Sequence, residues 1–207
     1  MSVSRRVVIV THFKPDADAL GSSLGLSAFL KKYGHQVTVI TPSDYPAFLN
    51  WLPGNDEVLI FSEAVVEKVK SLVNDAEVIF CLDFSALSRI NAIGEMIKNA
   101  SGKKVLIDHH LEPEKFADFE QGDAKAASTA GLVYELIIEL GERAKIDSTI
   151  ADCLYAGLLT DTGGFRHNNT RREEFMIASD LVSLGANPTR VSKLICDTNT
   201  LERLRLM

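Results

Sequence analysis

The chain reads as an α/β protein built on a parallel, Rossmann-like sheet with helices on both faces and a helix-rich second half. Three observations predict this. Strand-like runs alternate with helical patterns through the first 107 residues, which is how βαβ crossovers look in sequence. Two of those runs, Val7-Val8-Ile9-Val10 and Val78-Ile79-Phe80-Cys81-Leu82, are apolar throughout, as strands covered on both faces are. Acidic and imidazole side chains follow several of the runs directly, and an open parallel sheet brings the carboxyl ends of its strands to one crevice.

In order, strands are expected over 6–11, 36–40, 57–61, 77–82 and 103–107, with helices between them over 19–33, 63–74 and 88–100 and a short one near 45–51. The first helix has a clear stop, because Gly34 follows Lys31-Lys32-Tyr33: glycine accepts the left-handed cap and basic residues suit the last turn. After residue 112 the character changes. Phe116-Ala117-Asp118-Phe119 reads as an edge strand, and helices follow near 128–141, 148–160, 171–184 and 188–196. Ser128 caps the first of these and Asp147 or Ser148 the second, while Gly141 and Gly185 mark stops and Pro188 a start. No repeat or long linker intervenes, so residues 1–207 are expected to form a single domain.

An apolar content of 46% with 24% charged residues is ordinary for a globular chain. No apolar run approaches the roughly 18 residues of a membrane span, and the run after Arg5-Arg6 ends at Thr11-His12 without a small-residue cleavage site. Cys81, Cys153 and Cys196 are an odd number, widely spaced and set among apolar residues, which suits core filling and a reducing cytoplasm. A balance of 22 basic against 28 acidic residues gives −6. That is a poor match to long duplex nucleic acid, whose binding draws on many cationic phosphate contacts. A short or single-phosphate substrate fits better, with the Arg166, His167, Arg171 and Arg172 group able to reverse the sign locally.

The chemistry-bearing residues fall into four blocks. His12, Asp16 and Asp18 lie in the first strand-to-helix loop, Asp83 follows the fourth strand, Asp108-His109-His110 follows the fifth, and Asp161 opens Asp161-Thr162-Gly163-Gly164. An isolated Asp-x-Asp is ordinarily an Asx turn and a helix cap; His12 and the other acids shift the reading to metal ligation. Four carboxylates, Asp16, Asp18, Asp83 and Asp161, offset the charge of two divalent cations, and His12 and His109 ligate without adding charge. Asp83, with two oxygens, is placed to bridge. His110 and Asp108 form the expected catalytic pair, the imidazole steadying developing charge and the carboxylate orienting a ring. Oxygen-rich ligation with some imidazole favours Mn²⁺, with Mg²⁺ or Co²⁺ as substitutes, over a thiolate-type zinc site. Two such cations about 3.5–4 Å apart stabilise the attacking and leaving oxygens of an in-line phosphoryl displacement. Ser22, Arg89, Ser128, Thr129 and Arg166 are candidate substrate contacts, against ordinary roles as caps and solvated side chains.

With these blocks assembled, the chain resembles the DHH phosphoesterase superfamily: His12-to-Ser22, Asp83, Asp108-His109-His110 and Asp161-Thr162-Gly163 run in the family's order between residues 12 and 163. Pro15-Asp16-Ala17-Asp18-Ala19-Leu20-Gly21-Ser22 and Asp161-Thr162-Gly163-Gly164-Phe165-Arg166 look most like its nanoRNA exonuclease and pAp-phosphatase branch. The resemblance implies a manganese enzyme that shortens very short RNA, removes the 3′-phosphate of adenosine bisphosphate, and extends to linear or cyclic dinucleotides. It also implies a second, smaller DHH-associated domain with a glycine-rich motif. No such motif occurs before Leu206-Met207, so the catalytic half alone is expected. Two alternatives stand beside this reading: an inorganic pyrophosphatase or polyphosphatase using the same blocks, and a metal- and nucleotide-binding module with little turnover. Whether the chain forms a homodimer is left open.

Overall fold

The computed structural model describes residues 3–196; the side chain of Cys196, expected in the core, and the terminal Leu206-Met207 lie outside the described residues. Six strands form one sheet, β1 (Arg6–Thr11), β2 (Gln36–Thr41), β3 (Leu59–Ile60), β4 (Val78–Leu82), β5 (Lys103–Asp108) and β6 (Phe119–Gly122). Their order is β3-β2-β1-β4-β5-β6, and every pairing is parallel. The chain reverses direction across the sheet between β1 and β4, which is the switch point where such folds place their ligands.

Alternate residues of the apolar strands serve two cores. Val7, Ile9, Val39, Leu82 and Ile107 face α1 (Ala17–Lys31), α4 (Thr129–Glu139) and α5 (Ser148–Asp161). Val8, Val10, Ile40, Ile79, Cys81 and Leu106 face α2 (Val66–Asp75) and α3 (Ala92–Asn99). Burial of each such Val, Ile or Leu side chain contributes about 1.5–3 kcal/mol, which is why the strands read as continuous apolar runs. α6 (Arg172–Ser183) and α7 (Pro188–Cys196) pack outside α5. No helix among the described residues is long and apolar enough to cross a membrane.

Local chemistry moves several expected boundaries. The first helix begins at Ala17, two residues early, because Asp16 caps it. The segment near 45–51 is a 3-10 turn at Ala47–Leu49, and the third strand is only Leu59–Ile60. The expected helix over 88–100 is divided into a 3-10 turn, Leu87–Ile90, and α3, with Asn91 between them at φ 50°. The edge strand runs over Phe119–Gly122 instead of Phe116–Phe119. Phe116 stacks on Phe84 at 6.2 Å, and the Asp118 carboxylate accepts the Lys104 amide, so the ladder starts only at Phe119.

α1 and α5 cross closely at the site. A Cβ on Gly21 would stand 2.4 Å from the Cys153 carbonyl oxygen, so close helix contact accounts for this glycine. Cys81 and Cys153 are buried free thiols.

Candidate metal centre

The three neighbouring strands β1, β4 and β5 end in His12, Asp83 and Asp108-His109-His110, and α1 and α5 add Asp16, Asp18 and Asp161. All six expected ligands meet. The ligand atoms of His12, Asp16 and Asp83 form one close group, those of Asp18, His109 and Asp161 a second, and those of Asp83, His109 and His110 a third. Asp83 is the hinge of the arrangement: His12 Nε2 lies 3.5 Å from its Oδ2, and His109 Nε2 lies 3.4 Å from its Oδ1. His109 Nε2 is also 3.4 Å from Asp161 Oδ2.

The surrounding backbone aims these groups. His12 Nδ1 is held 2.9 Å from the Phe13 carbonyl oxygen and His109 Nδ1 3.3 Å from that of Ala126. In both rings this puts a proton on Nδ1 and turns Nε2 toward Asp83. Asp16 caps α1 with Oδ1 alone, accepting the Asp18 and Ala19 amides at 3.0 Å each. Asp18 is fully buried and accepts the Thr129 and Ala130 amides at 2.6 and 2.9 Å, so the N-terminus of α4 fixes its orientation. Asp83 has φ 65°, a left-handed conformation that strains a non-glycine residue. The Thr129 hydroxyl donates to its Oδ1 at 2.9 Å.

His110 is arranged differently. Its Nδ1, the nitrogen 3.9 Å from Asp83, is held at 2.7 Å by Asp108 Oδ1. The ring is 43% exposed, so Nε2 is left for an incoming group. Asp108 Oδ2 is buried without a hydrogen-bond partner.

Electrostatics mark the cluster as short of positive charge. Burial, with the Asp83 and Asp161 charges added, pushes the Asp18 carboxyl well above the usual range. Burial and the Asp83 and Asp16 charges push Asp161 up to about 7. Burial alone would lower His109, but the Asp83 hydrogen bond and charge outweigh it and raise the ring to about 9. Burial likewise opposes ionisation of Asp83, yet its hydrogen bonds with His109 and His12 hold it below the usual carboxylate range. Carboxylates and imidazole nitrogens converging at this spacing, with protons standing in for missing charge, fit divalent cations.

The expected substrate contacts divide. The Ser22 hydroxyl is buried and donates to the Ala19 carbonyl, and Ser128 Oγ is spent on the Gly131 amide as the cap of α4. Thr129 is spent on Asp83. Each of these three hydroxyls is turned inward and shapes the site from within. Arg89 and Arg166 are exposed, with Arg166 Nε donating to the Gly163 carbonyl at 2.8 Å. Sequence reasoning missed the use of the α4 N-terminus as the anchor of Asp18. The Ser128-Thr129 cap was its only trace.

Among curated proteins, the chain is 35% identical over 184 residues to the bifunctional oligoribonuclease and PAP phosphatase NrnA of Thermus thermophilus, covering 89% of this chain and 52% of that one. It is 28% identical to the enzyme of the same description from Bacillus subtilis, covering 88% and 54%. It thus spans about half the length of the curated relatives it matches. The crystal structure of an exopolyphosphatase-related protein from Bacteroides fragilis superimposes with a TM-score of 0.95 at 40% identity, covering 98% of this chain and 59% of that one. The family model described as the DHH family, N-terminal domain, matches residues 6–158. The chain belongs to the DHH family.

Proposed function

We propose that this chain is the metal-binding catalytic part of a hydrolase that cleaves phosphoesters of short oligoribonucleotides and removes the 3′-phosphate of adenosine 3′,5′-bisphosphate. The observation that carries the reading is the sharing of one buried carboxylate, Asp83, between two groups of ligands. The NrnA relatives lend it the substrate class. His12, Asp16 and Asp83 would hold one divalent cation and Asp18, His109, Asp161 and Asp83 the other, with Mn²⁺ suited to the mixed oxygen and imidazole set. When bound, the cations supply Lewis acidity toward the phosphoryl oxygens and acidify water.

The protein's own part is orientation and proton management. Asp108 holds His110 through Nδ1, leaving Nε2 to donate to a phosphoryl or leaving-group oxygen. The amides of Thr129 and Ala130 keep Asp18 from turning away.

The test pairs metal content after Mn²⁺ loading with product release from pAp and di- to pentaribonucleotides on the same sample. Two equivalents with release are expected; no release from either substrate, with metal bound, sinks the assignment. A pyrophosphate- or polyphosphate-cleaving role is the second reading, favoured by the description of the Bacteroides fragilis structure. Strong phosphate release from pyrophosphate, with indifference to nucleotides, would select it.

A further inference from the structure

The rim of the cleft is unequal on its two sides. On the α5 side the exposed polar groups bond to nearby backbone: Arg166 Nε donates to Gly163, and the Asp161 carbonyl takes contacts from His167 Nδ1 and Asn169 Nδ2. Phe165 lies between Tyr155 and Phe175. On the β1 side, Phe13 directly follows His12 and is 43% exposed. Its amide donates to the Arg89 carbonyl at 2.8 Å, which ties the loop after β1 to the turn after β4. Lys14 sits in the left-handed region at φ 56°, held there by the hydrogen bond its backbone amide donates to Ser43 Oγ at 2.8 Å. Strain of this kind in a bulky residue survives where the surroundings enforce it, and it gathers at functional sites. Lys14 Nζ lies 5.8 Å from the Phe13 ring centre and pairs with Asp44 at 2.6 Å, both ends exposed. Such a pair is worth little in water and exchanges readily. Arg89 is exposed, and its guanidinium makes no hydrogen bond or ion pair among the described residues.

Proteins hold single-stranded nucleotides with exposed rings that stack a base and cations that meet the backbone; here an exposed ring one residue from a proposed metal ligand adjoins Lys14, and its amide is bonded to the turn that carries Arg89. We propose that Phe13, Lys14 and Arg89 form a subsite for the nucleotide adjoining the one at the metals. Its base stacks on Phe13, and its phosphate is met by Arg89 and by Lys14 once that side chain leaves Asp44. The subsite rests on the nucleotide-cleaving reading and narrows it, since it selects substrates of two or more nucleotides. On a chain of net charge −6, it also supplies positive charge where a second phosphate would lie.

The test measures the anisotropy of 5′-labelled tri- and pentaribonucleotides with the full chain in EDTA, so that binding is read without turnover, and repeats it across salt. Phe13→Ala and Phe13→Leu should each weaken binding about five- to hundredfold, with Phe13→Tyr restoring it, because stacking needs a ring. Arg89→Gln should weaken binding and flatten its salt dependence by about one phosphate contact. Asp44→Asn, which removes no stacking group, should tighten binding. Wild-type affinity in Phe13→Leu and Arg89→Gln, in a protein that still hydrolyses oligonucleotides, overturns the subsite and spares the function. The expected losses in a protein that hydrolyses none support the subsite and remove the function. Equal losses in Phe13→Tyr and Phe13→Ala overturn stacking.

Discussion

Asp83 concentrates the argument at the scale of single residues. It is 2% exposed, sits at a strained φ, and is approached by His12 on one oxygen and His109 on the other. If it bridges, Asp83→Ala should lose both Mn²⁺ equivalents together rather than one, as read by elemental analysis of the purified variant. Loss of a single equivalent would mean that each cation has an independent cage. His110→Ala should keep its metal and lower turnover about 10²–10⁴-fold, the range of a general acid–base group. If metal content collapses instead, the roles of His109 and His110 are exchanged. The convergence of the six expected ligands was legible before the fold because each is an ionisable residue in a segment that leaves an apolar strand or helix. The inward partners of Ser22, Ser128 and Thr129 were not legible for a physical reason: a hydroxyl at a helix start serves a backbone amide, a carbonyl or a substrate with the same residue type, and sequence does not record which way it turns.

At the scale of elements, the site depends on how closely α1, α4 and α5 approach. A Cβ on Gly157 would lie 2.5 Å from Asp18 Oδ1 and 2.7 Å from Ala130 Cβ. Gly157→Ala would gain about 1 kcal/mol of helix propensity but incur an overpacking cost of about 1–3 kcal/mol, and the atom displaced first is a proposed ligand. The variant should melt below wild type, and titration with Mn²⁺ should show weaker binding even where the fold persists. Unchanged affinity would show that Asp18 has slack. This dependence was not visible in the sequence, where Gly157 is one small residue in an apolar helix. Element type, by contrast, followed from periodicity in nearly every case. The divided helix at Asn91 and the late start of β6 escaped because their causes are contacts distant in sequence, such as Phe116 on Phe84 and Asp118 on Lys104.

For the whole molecule, the fold collects acidic groups at the carboxyl ends of the sheet's central strands, and their proton affinity becomes part of folding stability. Asp161 is raised by burial and neighbouring charge from 3.8 to about 7. The folded state therefore holds that proton more tightly than the unfolded chain, and the stabilisation is complete below the unfolded value and lost as pH rises through 7. His109 is raised from 6.5 to about 9, burial opposing and Asp83 prevailing, so its contribution is complete below 6.5 and lost on the way to 9. Asp83 has the opposite sign, present above 3.8 and lost only on acidification below it, so it is flat over the same window. The metal-free protein should therefore melt at progressively lower temperature from about pH 5 to about pH 9. Divalent cations take the place of those protons and bind the folded state alone, so with saturating Mn²⁺ the decline should flatten or reverse as alkaline pH frees the ligands. Calorimetric melting in EDTA and in Mn²⁺ across that range checks both halves. A level EDTA profile would mean that the carboxylates are solvated more than their burial implies, and the charge deficit that argues for two cations would fall with it.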